Sequence, residues 1–101
     1  MIKINYYIDC GFIRNLCVQG HAEYRKVNNI DVVCACVSSI VIGGLNAIED
    51  INNYKISINY GDVNVSINKA NNHDNDVLNT IIVQLKTLET KYPKNIKIKE
   101  N

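Results

Sequence analysis

Proline and low-complexity segments are scarce in this chain, which argues against a disordered or linker-like polypeptide. There is one proline in 101 residues, and 47% of the residues are hydrophobic. This composition is typical of a globular protein. At this length we expect a single domain, residues 1–101, with a modest core and a site in a surface groove rather than a deep cavity.

The chain also lacks a large net charge of either sign. Eleven Lys and Arg residues oppose ten Asp and Glu, which gives a formal net charge of +1. Binding to a phosphate backbone demands a strongly basic balance, so we expect no direct contact with nucleic acid. The N-terminal Ile2-Lys3-Ile4-Asn5 alternates apolar and polar residues and lacks the continuous apolar segment of a signal peptide or membrane span. We therefore expect a cytoplasmic protein without a membrane partner.

The spacings of common metal sites are absent as well. The chain has four cysteines and two histidines, but it has neither a Cys-x-x-Cys knuckle nor a paired-histidine motif. Cytosolic thiols are kept reduced, so a disulfide scaffold is not expected. We expect no metal and no cofactor, and a zinc-binding domain remains a weaker alternative.

The N-terminal part of the chain has the alternation of a β-hairpin. Residues 2–9 place an apolar side chain at every second position. Residues 12–20 resume the alternation, and we expect Phe12 and Leu16 to share one face. The intervening Cys-Gly pair supplies the turn.

Two helices separate the remaining strands. Asp31 can cap a helix that runs to about Asp50 and is apolar on several sides, and residues 74–92 carry an apolar stripe on one face. A second hairpin over 54–67 and a short strand over 95–99 complete the order β-β-α-β-β-α-β. The predicted fold class is α+β, with a mixed sheet and two helices packed on it.

Two features interrupt this regular pattern. Gly43 and Gly44 lie inside the first predicted helix, where each Gly costs about 1 kcal/mol relative to Ala, so we expect another backbone to pack closely there. Residues 22–30 show no sustained period and include the turn-forming pair Asn28-Asn29. We predict a mobile loop here.

A histidine at a strand end and a cysteine at a helix start bracket this loop. If Asp31 is the N-cap, Cys34 is the third helical residue, where unpaired N–H groups and the helix dipole stabilise a thiolate. An ionised Asp31 nearby would oppose that effect. His21 would accept the thiol proton only if the loop folds back onto the helix. Residue chemistry alone leaves open a second interpretation, with a small buried Cys34 and a structural His21.

The other candidates have simpler interpretations. Cys36 points about 200° away from the cysteine two residues earlier, so we expect it in the core. Cys10 and Cys17 lack an activating neighbour and are expected to be structural, and His73 is expected to be a solvated surface histidine. Ser38 follows the candidate nucleophile by one helical turn, where its hydroxyl either holds a substrate carbonyl or bonds to the backbone.

Four pieces of this chain together resemble the signature of a known family. They are Gly20-His21-Ala22, Asp31-Val32-Val33-Cys34-Ala35, Ser38 and Asn46-Ala47-Ile48. In this order they resemble the bacterial ribosomal-processing cysteine proteases, called Prp, and the resemblance extends over essentially the whole chain. It implies a cytoplasmic, homodimeric endopeptidase that removes the short N-terminal extension of large-subunit ribosomal protein twenty-seven.

The resemblance also implies roles for individual residues. Cys34 would be the nucleophile and His21 the general acid and base, while Asp31 and Ser38 would support the site or bind substrate. The helix-start N–H groups are expected to help hold the oxyanion. The family usually has a Gly shortly before the Asp, whereas this chain has Asn28-Asn29-Ile30 there and a slightly longer segment between His and Cys. A non-catalytic, peptide-binding ribosome-assembly adaptor is the alternative function.

Overall fold

A computed structural model describes residues 1–24, 26–27 and 30–101 of the chain. Within these residues the main elements follow the predicted order β-β-α-β-β-α-β, and an additional pair of two-residue strands precedes the first helix. The elements are β1 (Ile2–Asp9), β2 (Phe12–Gln19), β3 (Lys26–Val27), β4 (Ile30–Asp31), α1 (Val32–Leu45), β5 (Tyr54–Asn59), β6 (Asp62–Ile67), α2 (Asn72–Lys91) and β7 (Ile96–Glu100).

Five strands form one mixed sheet in the order β5-β6-β2-β1-β7. β1 and β7 are parallel, and the other neighbours are antiparallel. Both helices contribute to the same hydrophobic core as the sheet. The predicted α+β class and the mixed sheet with two packed helices are therefore confirmed.

The segment predicted as a mobile loop is only partly described. β3 and β4 pair with each other in a small second sheet, so part of this segment is strand rather than loop. Arg25, Asn28 and Asn29 lie outside the described residues, and with them the predicted mobility and the effect of the Asn-Asn pair. In the described part of the chain, neither helix has the length and apolar character needed to cross a bilayer.

The β1–β2 hairpin has a bulge that the alternation pattern did not predict. Its turn places Cys10 and Gly11 at positive φ, 52° and 81°, as in the tight turns that match strand twist. Tyr7 pairs with Asn15 while Ile8 pairs with Ile13, which leaves one extra residue in β2. The shift turns Ile13, which is 1% exposed, into the core, in place of Phe12.

α1 begins as predicted and ends earlier than predicted. Asp31 is its N-cap, with φ −80° and ψ 109°, and the helix ends at Leu45 rather than near Asp50. The reason lies in α2, where the Asp74 carboxylate accepts the N–H groups of Glu49 and Asp50 at 3.0 Å each. Those N–H groups cannot then continue the helical hydrogen-bond ladder.

The buried stripe of α1 explains where its cysteines lie. Val33, Val37, Val41 and Leu45 form that stripe at intervals of four residues. Cys36 flanks the stripe and is half-buried, so the expectation that it lies in the core was wrong. Cys34 is also half-buried, but it packs against the core.

Only one of the two helical glycines marks a close approach. A Cβ on Gly44 would overlap the Cγ1 and Cδ1 atoms of Ile81 in α2, whereas a Cβ on Gly43 would meet nothing within 4 Å. The close neighbour is therefore a side chain of α2 rather than its backbone. Gly44 lets the two helices pack together, and Gly43 has no such function.

We expect Gly44→Ala and Gly43→Ala to change stability in opposite directions. Gly43→Ala should raise the free energy of unfolding by about 0.5–1 kcal/mol, since Ala is the better helix former. Gly44→Ala should lower it by about 1–2 kcal/mol, because overpacking against the buried Ile81 exceeds that gain. Urea unfolding of the two variants measures the difference, and equal effects would contradict the packing assigned to Gly44.

Asp74 is a buried ionised group that holds the end of α1. Its side chain is 0% exposed, and it also accepts a hydrogen bond from the Nδ1 atom of His73 at 2.9 Å. Burial raises the pKa of Asp74, but hydrogen bonds from Glu49, His73 and Asp50 outweigh burial and hold the pKa below its ordinary value. His73 lies at the surface as expected, yet its ring bridges Asp74 and Glu49.

We expect Asp74→Asn to lower stability at neutral pH by about 1–3 kcal/mol, since a neutral amide accepts the same N–H groups more weakly. Because the folded pKa is depressed, the contribution of Asp74 is complete above 3.8 and is lost as the pH falls through the lower folded value. The variant should therefore show a smaller further loss in acid than the parent. Asp76→Asn, at an exposed position of the same helix, is the control. Parallel acid profiles for parent and Asp74→Asn would refute the assignment.

Candidate active site

Cys34 lies at the third position of α1, as the sequence predicted. Its backbone N–H donates to Oδ1 of Asp31 at 3.1 Å, which is the N-cap bond of the helix. Its Sγ accepts a hydrogen bond from the backbone N–H of Ala22 at 3.2 Å. The sulfur is thus tied to the segment that follows His21.

Asp31 joins the helix start to that same segment. Its Oδ2 accepts the N–H of Tyr24 at 2.9 Å, while Oδ1 accepts that of Cys34. Burial raises the pKa of Asp31, but hydrogen bonds from the backbone of Cys34 and Tyr24, the Cys34 thiol and the Val33 backbone lower it below its ordinary value. Asp31 is therefore a negatively charged cap at neutral pH.

His21 follows β2 and lies beside the turn between β5 and β6. Gly20 precedes it with φ 93°, and a Cβ at Gly20 would stand 2.5 Å from the carbonyl oxygen of Met1. The Gly20 N–H donates to the carbonyl oxygen of Gly61 at 2.9 Å, which extends the β2–β6 pairing to this turn. The imidazole ring lies 4.7 Å from the Tyr60 ring, between centroids. Gly61 has room for no side chain, since a Cβ would stand 2.8 Å from the imidazole Cε1 and Nε2 atoms.

A single open groove of about 720 Å³ contains His21, Cys34, Asp31 and Ser38 in its lining. α1 forms one wall, and the ends of β5 and β6 form the other. Among the described contacts, no hydrogen bond joins the His21 ring to the Cys34 sulfur. The structure therefore brings all four predicted site residues to one groove and leaves the histidine resting on the β5–β6 turn.

Ser38 is exposed and lines this groove one turn after Cys34. Threonines of α2 donate their hydroxyls to the carbonyl four residues earlier, for example Thr80 to Asp76 and Thr87 to Val83. Among the described contacts, the Ser38 hydroxyl makes no such bond. The Ser38 side chain is therefore exposed in the groove.

The other cysteines lie in different surroundings. Cys10 is exposed in the first hairpin turn, and Cys17 is half-buried in β2. Burial and the charge of Asp62 raise the pKa of Cys17, which disfavours its thiolate. Across the described residues no group of three or more His, Cys, Asp and Glu side chains is arranged to hold a metal ion.

Sequence reasoning missed three contributors to the site. Tyr60 and Gly61 were predicted only as parts of the hairpin over 54–67. Asn95, whose Nδ2 donates to the Ala22 carbonyl oxygen at 3.0 Å, was predicted only as the start of the last strand. Each is far from His21 in sequence, so no local pattern could have identified them. Only the strand order, which places β6 beside β2, brings the β5–β6 turn to the histidine.

Comparison with known proteins identifies the family. Residues 1–97 match the family described as Cysteine protease Prp. The chain belongs to the Prp family of cysteine proteases. The ribosomal processing cysteine protease Prp of Staphylococcus aureus is 30% identical over 104 residues, which cover 97% of each protein.

Solved structures of a Prp protein share this fold. The S. aureus ribosomal processing protease in complex with a covalently linked product peptide gives a TM-score of 0.84 at 28% identity. The same protease in complex with a substrate peptide gives 0.74 at 26% identity, and both comparisons cover 100% of both chains. The resemblance drawn from the sequence motifs is therefore confirmed, and the chain is a cysteine protease.

A Prp protease needs a thiol that is open to a peptide and close to a base. Within the described residues, Cys34 alone among the four cysteines lines the groove that also holds a histidine. The start of α1 places Cys34 in the groove, and the end of β2 brings His21 to the same groove. This arrangement suits nucleophilic attack on a peptide carbonyl.

Gly61→Ala should lower proteolytic activity more than Gly11→Ala, although both lower stability. Both glycines have positive φ, 73° and 81°, so alanine strains either turn by about 1 kcal/mol. A Cβ at Gly61 must also displace His21, whereas one at Gly11 meets nothing within 4 Å. Thermal unfolding and peptide-cleavage rates separate the two effects. Equal activities at matched stability would show that the Gly61 contact does not position the histidine.

Proposed function

We propose that this protease removes the short N-terminal extension of large-subunit ribosomal protein twenty-seven, with Cys34 as nucleophile and His21 as general acid and base. The observation that supports the roles is the shared groove, in which a half-buried sulfur already accepts an N–H hydrogen bond. The ribosomal processing named for the S. aureus relative supports the substrate. The peptide complexes of that relative support an extended polypeptide as ligand.

In the proposed reaction His21 takes the thiol proton and the Cys34 sulfur attacks the scissile carbonyl carbon. A carbon–sulfur bond forms, and the carbonyl π electrons move onto oxygen. When the oxyanion collapses, the carbon–nitrogen bond breaks and His21 returns its proton to the leaving amine. A water molecule then hydrolyses the thioester and regenerates the thiol.

The groove supports binding of a peptide with apolar side chains. Ile42 of α1 and Ile58 of β5 are large, partly exposed apolar residues on its opposite walls. Tyr60 is 95% exposed at its rim. Burying such surface against a ligand is favourable, by about 25 cal/mol per Å² of apolar area. Ser38 is free to donate its hydroxyl to a substrate carbonyl, and Asp31 serves as the helix cap.

We expect Cys34→Ala to abolish cleavage of the precursor while Cys36→Ala leaves it nearly unchanged. Neither cysteine is fully buried, so each substitution should change the free energy of unfolding by only about 1 kcal/mol or less. The readout is mass spectrometry of the ribosomal protein precursor after incubation, which also maps the cleavage site. Loss of activity in Cys36→Ala alone would mean that the nucleophile is wrongly assigned.

The same experiment tests the adaptor alternative. Binding of the precursor without any cut by the unmodified protein would favour a peptide-binding ribosome-assembly adaptor. Brief treatment with iodoacetamide adds an independent measurement, since an activated thiol is alkylated faster than the other cysteines. Preferential labelling of Cys34 supports the enzyme, and uniformly slow labelling opposes it.

The proposed setting is a cytoplasmic homodimer. The four free cysteines suit a reducing compartment, and the family resemblance supports both the location and the dimer. The partly exposed apolar residues Ile42, Ile58 and Tyr60 around the groove are surface that a second subunit or a substrate would cover. Analytical ultracentrifugation across a concentration series measures the oligomeric state.

A further inference from the structure

The helix start next to the nucleophile has few N–H groups to offer an oxyanion. The Cys34 N–H is already donated to the Asp31 carboxylate, and the Val33 N–H also faces that carboxylate. From the next residue onward, helical N–H groups bond to carbonyls four residues earlier. The expected use of helix-start N–H groups as oxyanion donors therefore conflicts with the observed cap.

The negative charge of Asp31 also argues against an oxyanion held at the helix start. Asp31 is ionised at neutral pH, because its hydrogen bonds outweigh burial and lower its pKa. An oxyanion that developed beside this carboxylate would be repelled in a partly desolvated site. The negative oxygen of the intermediate is better placed on the side of the sulfur that faces away from the cap.

Ala22 supplies an N–H group at the sulfur that does not belong to the helix. Its nitrogen lies 3.2 Å from the Cys34 Sγ, and the flanking residues His21 and Glu23 line the groove. When sulfur bonds to a carbonyl carbon, the carbonyl oxygen is held two bonds from sulfur. A donor that touches the sulfur is therefore also within reach of that oxygen.

We infer that the backbone N–H of Ala22 is the oxyanion donor of this protease, and that Asn95 is the residue that positions it. In the resting site this N–H bonds to the sulfur. As the carbon–sulfur bond forms, negative charge moves to the carbonyl oxygen and the N–H follows it. This inference rests on the proposed role of Cys34.

The Ala22 backbone is held rigidly, as an oxyanion donor requires. Its side chain is 2% exposed, and its carbonyl oxygen accepts Nδ2 of Asn95 at 3.0 Å. Asn95 is itself fixed, because its N–H donates to Tyr92 at 3.0 Å and its carbonyl accepts the Ile2 N–H at 2.8 Å. On the other side Glu23 has φ 56°, a left-handed conformation that turns the chain back toward Asp31.

The direct test replaces the Ala22 amide by an ester, which removes this N–H and keeps the methyl side chain. A synthetic segment 1–35 that carries lactate at position 22 is ligated to a recombinant segment 36–101, whose first residue is Cys36. The matched control is the same ligation product with the natural amide. The probe is a peptide that spans the N-terminal extension of the ribosomal protein, and far-ultraviolet circular dichroism checks folding.

The two reactions of the sulfur separate the possible roles of the N–H group. Peptide cleavage develops an oxyanion, whereas alkylation by iodoacetamide develops none and depends only on the thiolate. The ester should lower kcat on the order of 100-fold, with KM little changed. It should slow alkylation of Cys34 by no more than about 3-fold, the size of effect expected from one weak hydrogen bond.

The Asn95→Ala variant provides a second test of this inference, and it can be made without ligation. It should lower kcat on the order of 10-fold through misplacement of the Ala22 peptide, with the alkylation rate retained. Equal losses in cleavage and alkylation would overturn the inference, since the N–H would then serve the thiolate alone. Unchanged kcat in the folded ester protein would also overturn it. If the amide control itself fails to cleave the peptide, the proposed function fails instead.

Discussion

The Asp31 carboxylate is the contact on which the geometry of this site depends. Its two oxygens accept N–H groups from Cys34, at the start of α1, and from Tyr24, in the segment that follows His21. One side chain therefore ties both sides of the proposed dyad together. Burial opposes the charge, but the donated hydrogen bonds outweigh it and lower the pKa of Asp31. The tie accordingly persists in its charged form at neutral pH.

This tie separates two tasks that a helix start can perform. One is to fix the position of the nucleophile, and the other is to donate N–H groups to an oxyanion. The N–H groups of Cys34 and Val33 are directed to the Asp31 carboxylate, so these two groups are not available to the substrate. The N–H group at the sulfur comes instead from Ala22, shortly after the end of β2. β2 itself lies inside the sheet between β1 and β6. His21 lies against the β5–β6 turn, at Tyr60 and Gly61.

The element order could be predicted because it follows from local periodicity. Alternation over 2–9 and the apolar stripe of the second helix require no knowledge of their partners. The boundaries that were missed depend on partners. The end of α1 is set by Asp74 from another helix. The inward turn of Ile13 depends on a bulge in its pairing with β1.

For the active site, the sequence by itself determined the cap and the helical position of Cys34, because both follow from neighbours within one turn. His21 was a candidate from residue chemistry, and the family resemblance implied its pairing with Cys34, which no spacing rule establishes. Tertiary structure alone decided that the histidine rests on Gly61, that Ala22 faces the sulfur and that Cys36 is only half-buried. These relations join residues through the strand order and through helix packing. Local propensity carries no information about such contacts, since it acts only between neighbours along the chain.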